Sequence, residues 1–264
     1  MKNKSGPRIL VLDIETAPII ASVWGLFDQN IGLNQIETDW HLLSFAAKWY
    51  GEKKVFYEDQ SKVKDIENDK KLLQKLWTLM DSADIILGQN SKAFDVKKIQ
   101  ARFAFHNMPP TSSFKQLDTL KIARKHFAFT SNKLEYLSNK LCKKYKKLKH
   151  SKFSGFELWK ECLAGNKAAW AEMKKYNIHD TLATEELYDV LKVWDNSINF
   201  NLYSSSTGTT CTCGSSSWVR NGYAYTSVAK YQRYKCKKCS SEIRDRKNLF
   251  DKAKKESIKS GTTR

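Results

Sequence analysis

The sequence predicts an α/β protein, a mixed sheet flanked by helices, followed by a small cysteine-bearing module. Three observations carry this. An unbroken apolar run lies near the start, three strand-like segments precede an alternation of helix and strand, and four of the six cysteines gather near the C-terminus.

Residues 9–12, Ile-Leu-Val-Leu, read as a strand buried on both faces, and Asp13 and Glu15 end it. Residues 42–51 and 53–59 read as two further strands joined by a tight turn at 51–54. Residues 69–83 place Leu72, Leu73, Leu76, Leu79 and Met80 at helical spacing. A short buried strand follows at 84–90, then a helix at 92–107 and a brief strand running into a helix at 116–127. Further helices are predicted at 133–145 and 165–194. Neither GxGxxG nor GxxxxGK[ST] occurs, so the dinucleotide and P-loop readings lose their main support. The Ser/Thr/Asn-rich stretch 197–210 marks a boundary. The expected organisation is a first domain over 1–200, a module over 201–248 and a basic polar tail over 249–264, of which residues 254–264 are expected to be disordered.

The 264 residues carry 46 Lys and Arg against 28 Asp and Glu, a formal net charge of +18. From residue 201 onward the balance is 14 to 4. Such an excess favours a polyanionic partner, because each cation that meets a phosphate releases a counterion. No apolar stretch approaches the ~20 residues that span a bilayer, and the N-terminus lacks the apolar core of a signal peptide. The expectation is a cytoplasmic protein with no membrane partner.

Asp13 and Glu15 sit at i and i+2 of a strand and so point to one side. Like charges held there raise each other's pKa unless something positive lies between them. Hard cations such as Mg²⁺ and Mn²⁺, which take oxygen ligands, are the usual reason to gather carboxylates. Asp95 follows the strand 84–90, where residues at a sheet's C-terminal edge meet ligands. It could equally be a first-turn acid serving the helix dipole. In the last helix, Met173, Tyr176, Asp180, Thr184, Leu187, Leu191 and Trp194 form one stripe, expected to be the buried face. Asp180 on that stripe needs a partner, either a lysine or a metal ion.

Taken in order, D-I-E ending the first strand, N-x-x-x-F-D (Asn90, Phe94, Asp95) and Y-x-x-x-D (Tyr176, Asp180) resemble the motifs of the DEDD superfamily of 3′–5′ exonucleases, in the variant with Tyr in the third motif. The resemblance covers about residues 8–194. That superfamily has a ribonuclease H-like fold and includes polymerase proofreading domains. The resemblance implies two Mg²⁺ or Mn²⁺ ions, about 3.5–4 Å apart. Asp13 would bridge them, Glu15 and Asp180 would complete the first site, and Asp95 would serve the second. Tyr176 would orient the attacking water, since a phenol of pKa about 10 stays protonated at neutral pH. Asn90 and Phe94 would shape the pocket and Thr16 would contact the terminal nucleotide. His179 departs from the family's spacing and, turned about 100° from Asp180 on a helix, reads as a bystander. The insertion 22–40 offers Trp24, Phe27 and Trp40, which could stack on unpaired bases or pack over the sheet.

Cys211 and Cys213, then Cys236 and Cys239 after 22 intervening residues, resemble the ligands of a zinc ribbon holding one structural Zn²⁺. The first pair, C-x-C, is one residue tighter than the common spacing, and Gly214 permits a turn after it. Asn221-Gly222 is a hairpin-turn signal. A redox C-x-x-C would lack its βαβ context. Trp218, Tyr223, Tyr225, Tyr231 and Tyr234, interleaved with Lys and Arg, suit either base stacking with phosphate contact or the ribbon's own small core. A further cluster, residues 140–152 with seven lysines, could line a substrate path or be a solvated face.

The expected function is a metal-dependent 3′–5′ exonuclease acting on single-stranded or 3′-ended DNA or RNA, the ribbon assisting the grip. The rivals are a non-catalytic nucleic-acid-binding protein that uses the nuclease fold as scaffold and an endonuclease of the wider ribonuclease H-like class.

Overall fold

The computed structural model describes residues 6–146, 152–205 and 207–261. The chain divides into two compact units, one over residues 7–191 and one from 192 onward.

In chain order the first unit contains β1 (Ile9–Thr16), β2 (Ile20–Ala21), β3 (Ile36–Thr38), β4 (Leu42–Trp49), β5 (Val55–Asp59), α1 (Lys70–Asp81), β6 (Ile85–Gly88), α2 (Asp95–Phe105), β7 (Lys115–Asp118), α3 (Thr119–His126), α4 (Leu134–Leu141), α5 (Glu157–Leu163) and α6 (Lys167–Leu191). The main sheet has the order β5-β4-β1-β6-β7. β4 pairs antiparallel with both β1 and β5, and β6 runs parallel to β1 and β7, so the sheet is mixed as expected.

β1 is the central strand, which is why its first four residues are all buried and apolar. Successive side chains leave opposite faces. Leu10, Leu12 and Ile14 join Leu72, Leu73, Leu76 and Met80 of α1 and Val96, Ile99 and Phe103 of α2 in one core. The other face meets α5 and α6, where Leu43 packs with Leu158, Cys162, Trp170 and Met173. Fully buried Asp69 ties β4 to α2. It accepts the Leu42 N–H at 2.8 Å, the Arg102 Nε at 2.8 Å and His106 Nε2 at 2.6 Å.

Several elements differ from the sequence reading. α2 begins at Asp95, because the residues before it form a turn around Asn90, whose φ is +61°. α4 ends at Leu141, and the chain beyond it wraps the Glu186 carboxylate, which accepts the backbone N–H groups of Lys143, Lys144 and Tyr145. Residues 147–151 of the lysine cluster lie outside the described residues. α5 is an additional helix. Of the stripe expected to be buried, α6 buries Met173, Thr184, Leu187 and Leu191 but not Tyr176 or Asp180. Its buried positions include Asn177, Thr181, Thr184 and Tyr188, whereas Tyr176 is 37% exposed and Trp194, past the helix end, is 50% exposed. The buried face is turned from that stripe by less than the roughly 100° between adjacent residues, so Tyr176 and Asp180 lie along its edge. The insertion after β1 folds into β3, paired with β2, and leaves Trp24 (97%) and Phe27 (83%) exposed. Only Trp40 packs on the core, with the Lys98 ammonium 3.5 Å from its ring centroid.

The second unit contains β8 (Trp218–Tyr225), β9 (Lys230–Cys236), β10 (Glu242–Arg244) and α7 (Lys252–Ser257), with an antiparallel sheet in the order β10-β9-β8. Asn221-Gly222 is not the hairpin turn. It forms a bulge within β8, and the chain reverses at 226–229, where Thr226 N–H meets Ala229 O at 2.9 Å. The positive φ of Gly222, +64°, serves a bulge as well as a turn. The tail, expected to be disordered from residue 254 on, carries α7, capped by the Asp251 carboxylate on Lys254 N–H.

Candidate active site

The site forms where β1 outruns its parallel neighbour. The last residues paired between the two strands are Val11 and Leu87, and β6 ends at Gly88. Beyond that point the Asp95 carboxylate, from the first turn of α2, accepts the Ile14 N–H at 3.1 Å. Ile14 lies between Asp13 and Glu15, so a third carboxylate is anchored on the backbone between the first two. Asp95 therefore acts at once as the first-turn acid of its helix and as a member of the site. Its position depends on the 88–94 turn, where Asp118 accepts the Asn90 N–H at 2.9 Å and Asn90 O accepts the N–H groups of Ala93 and Phe94. A Cβ at Gly88 would lie 2.5 Å from Ser91 Cβ, so the turn requires glycine there.

Asp180 arrives from α6. Burial first, then Glu15, Asp95 and Asp180, push the Asp13 carboxyl well above the usual carboxylate range, opposed by the Asn177 amide. Burial, followed by Asp180 and Asp95, pushes Glu15 up to about 8, with the Trp159 indole N–H pulling it down. Asp95 and Asp180 are each pushed up to about 7, mainly by burial. The Ile14 N–H opposes the shift at Asp95 and the Tyr176 hydroxyl opposes it at Asp180. Glu135 of α4 adds to the negative field on Asp180. Among the described residues no Lys or Arg pairs with any of the four carboxylates. A cluster of acids without a cationic side chain is the donor chemistry that Mg²⁺ and Mn²⁺ require, so these residues fit such ions.

Of the other residues singled out, Tyr176 is brought to Asp180. Burial first, then the charges of Asp180, Glu15 and Asp13, raise its phenol above the ordinary 10. Phe94 precedes Asp95 and is 40% exposed. Asn90 is exposed on the same turn, and Thr16 closes β1 just past an irregularity in its pairing with β4. His179 packs edge-on against Tyr145, ring centroids 6.0 Å apart, and makes no contact with the carboxylates.

Two residues at the site escaped the sequence reading. Trp159 of α5 lies beside Glu15, where its indole favours the ionised carboxylate, and sets its ring edge-on to Tyr176, centroids 6.1 Å apart. Asn177, fully buried, donates from Nδ2 to Asp13 Oδ2 at 2.5 Å and to Asp13 O at 3.2 Å. A polar residue at a core-facing helical position was the available signal for Asn177. Trp159 had none.

In the second unit Cys211, Cys213, Cys236 and Cys239 bring their sulfurs within 4.8 Å of one another. Among the described residues theirs is the one ligand set gathered so tightly, the carboxylates being spread more widely around the end of β1. Cys211 and Cys239 are 3.4 Å apart and Cys213 and Cys236 are 3.7 Å apart. A tetrahedral Zn²⁺ with Zn–S near 2.3 Å sets its sulfurs about 3.8 Å apart, so the four cysteines fit zinc. The C-x-C spacing is accommodated by Gly214 at φ +84°, its N–H donating to Cys211 O at 2.8 Å. Tyr223 (44%) and Tyr225 (66%) are exposed, and Lys230 stands 3.8 Å from the Tyr223 ring centroid. Arg244 stands 3.8 Å from that of Tyr231. The ribbon's tyrosines thus present aromatic surface with cations set against it, rather than forming a sealed core.

A family model for the RNase H superfamily matches residues 29–192. That span holds Asp95, Tyr176 and Asp180 and begins after β1, which the structure inserts between β4 and β6 of the same sheet. Among solved structures, a family B DNA polymerase from the hyperthermophilic archaeon Pyrobaculum calidifontis matches with a TM-score of 0.50 at 15% identity, over 71% of this chain. The chain covers 25% of that polymerase, and the likeness is one of fold. No curated protein matches.

Proposed function

Because the chain belongs to the RNase H superfamily, we propose that it is a metal-dependent 3′–5′ exonuclease that hydrolyses phosphodiester bonds of DNA or RNA. The observation that carries the proposal is the convergence of Asp13, Glu15, Asp95 and Asp180 on the end of β1 with no cationic side chain among the described residues paired with them. Two Mg²⁺ or Mn²⁺ ions held by these four would supply Lewis acidity and lower the pKa of a bound water. Asp13 would serve both ions, Glu15 and Asp180 one of them and Asp95 the other.

Tyr176 keeps its proton, since its pKa is raised. It orients the attacking water through its hydroxyl and does not act as a base. Its partial exposure at the edge of α6 leaves it accessible to substrate. The exposed Phe94 ring, next to Asp95, offers a stacking surface to the terminal base, with Asn90 and Thr16 at the rim of the site. The cysteine ribbon binds one structural Zn²⁺, and its cation-flanked tyrosines add sequence-tolerant affinity for single strands.

The test is incubation with 5′-labelled single-stranded DNA and RNA in Mg²⁺, in Mn²⁺ and without divalent ions, with Asp13→Asn as control. The proposal expects a ladder shortening stepwise from the 3′ end, dependent on metal and absent in the variant. Internal cuts of fixed size would make it an endonuclease. Intact polymer that still binds the protein would leave a binding protein on a nuclease scaffold.

A further inference from the structure

Asn177 has the most closely determined surroundings of any residue at the site that the proposed chemistry does not use. Both hydrogens of its amide go to Asp13, one to the carboxylate at 2.5 Å and one to the main-chain oxygen at 3.2 Å. Its Oδ1 accepts the Ser44 hydroxyl at 3.0 Å. Ser44 is fully buried on β4, directly opposite Glu15. The chemistry sets the direction of this chain. The main-chain oxygen of Asp13 can only accept, so the amide must turn its nitrogen towards Asp13, and its oxygen then needs a donor, which the serine hydroxyl provides.

The choice of a neutral donor is informative. A lysine or arginine at 177 would neutralise Asp13 and compete with a cation. An apolar residue would leave a buried carboxylate oxygen unpaired. An amide satisfies one oxygen, adds no charge and leaves the other oxygen free.

We propose that Asn177 is a positioning residue for the cation site: it holds Asp13 by Oδ2, with Ser44 locking its amide, so that Oδ1 is presented to the metal. The inference rests on Asp13 being a metal ligand, and the experiment separates the two ideas. Mn²⁺ binding to zinc-replete protein is titrated by the EPR signal of free Mn²⁺, for the wild type and for Asp13→Asn, Asn177→Leu and Ser44→Ala. Each variant's fold is checked by circular dichroism. Wild-type binding that Asp13→Asn weakens supports the ligand assignment. The positioning role then expects Asn177→Leu to weaken Mn²⁺ binding about 10- to 100-fold, the range found for groups that orient metal ligands. Ser44→Ala should weaken it less, and excess Mn²⁺ should restore nuclease turnover with KM for the oligonucleotide unchanged. A purely structural role would not be rescued by metal. Asn177→Leu that folds and binds Mn²⁺ like the wild type overturns the inference. If Asn177→Leu does not fold, unchanged affinity in Ser44→Ala overturns it. Equal binding by the wild type and Asp13→Asn removes the ligand assignment itself, and this inference with it.

Discussion

Metal-free protein should lose stability as the pH rises from 6.5 to 8, and Mn²⁺ should abolish the loss. In the unfolded chain Glu15 titrates near 4.5 and is ionised throughout this window, whereas in the folded protein it keeps its proton up to about 8. The folded state therefore binds one more proton, and each such group lowers stability by about 1.4 kcal/mol per pH unit. Across the window Glu15 alone accounts for a fall of about 2 kcal/mol. Asp95 and Asp180, each at about 7, add to it over the lower part, and Asp13, raised as well, acts in the same direction. His41 and His179 are held below 6.5, so the unfolded imidazoles lose the rest of their protons early in the window and their opposing contribution fades within about one pH unit of 6.5. A fall of this size is a large fraction of a typical net stability of about 5–15 kcal/mol. Urea midpoints of zinc-replete protein at several pH values, with and without Mn²⁺, measure it. A bound cation favours the ionised carboxylates and should flatten the slope. A metal-free midpoint that is flat or rises across the window, or a Glu15→Gln slope equal to that of the wild type, would refute the reasoning.

Three further outcomes follow from the same geometry. Tyr176→Phe keeps the ring beside Trp159 and removes the hydroxyl, so single-turnover rates should fall on the order of 10²-fold with oligonucleotide affinity unchanged. Trp159→Phe keeps an edge contact and removes the indole N–H that favours the ionised form of Glu15. The midpoint of Mn²⁺ binding against pH should then move up. Cys236→Ser should abolish a zinc content of one per chain and unfold the β8–β10 sheet, because structural zinc contributes on the order of 10 kcal/mol to such small modules. Metal analysis and the loss of dispersed amide resonances from that sheet would report it.

The parts of the site that were legible in the sequence are those carried by strand and order. Residues 9–12 are apolar without interruption because β1 is central, and that run fixes where Asp13 and Glu15 stand. The cysteines announce themselves by pairing. The rest is hidden for identifiable reasons. A 3.6-residue period lets two adjacent stripes of α6 look equally regular. Met173, Thr184, Leu187 and Leu191 are buried members of the expected stripe, and the polar residues Asn177 and Thr181 do not look like core until Asp13, Ser44 and Ala46 O are seen opposite them. α5 spans seven residues and buries only Leu158 and Cys162, too few to register as periodic, yet it delivers Trp159. Asn221-Gly222 supplies a positive φ that a bulge uses as readily as a turn, and nothing local decides between them.

The arrangement at Asp95 separates two roles that one side chain performs. β1 continues past the end of β6, so the Ile14 N–H has no strand partner on that side, and a buried donor left unpaired costs about 1–3 kcal/mol. The Asp95 carboxylate satisfies that donor and in doing so carries its charge to the two acids of β1. Asp95→Asn retains an oxygen that can accept from Ile14 while removing the charge. In metal-free protein at pH 8 it should be as stable as the wild type or more so, since a carboxylate held near pKa 7 by burial is gone, and its Mn²⁺ affinity and nuclease activity should fall together. Asp95→Ala removes both functions and should additionally lose about 1–3 kcal/mol to the orphaned Ile14 N–H. Faster hydrogen exchange at Ile14 in the alanine variant, but not in the asparagine variant, reports the lost cap directly. Equal exchange in the two variants would mean that Asp95 does not hold the end of β1, and its approach to Asp13 and Glu15 would then need another cause.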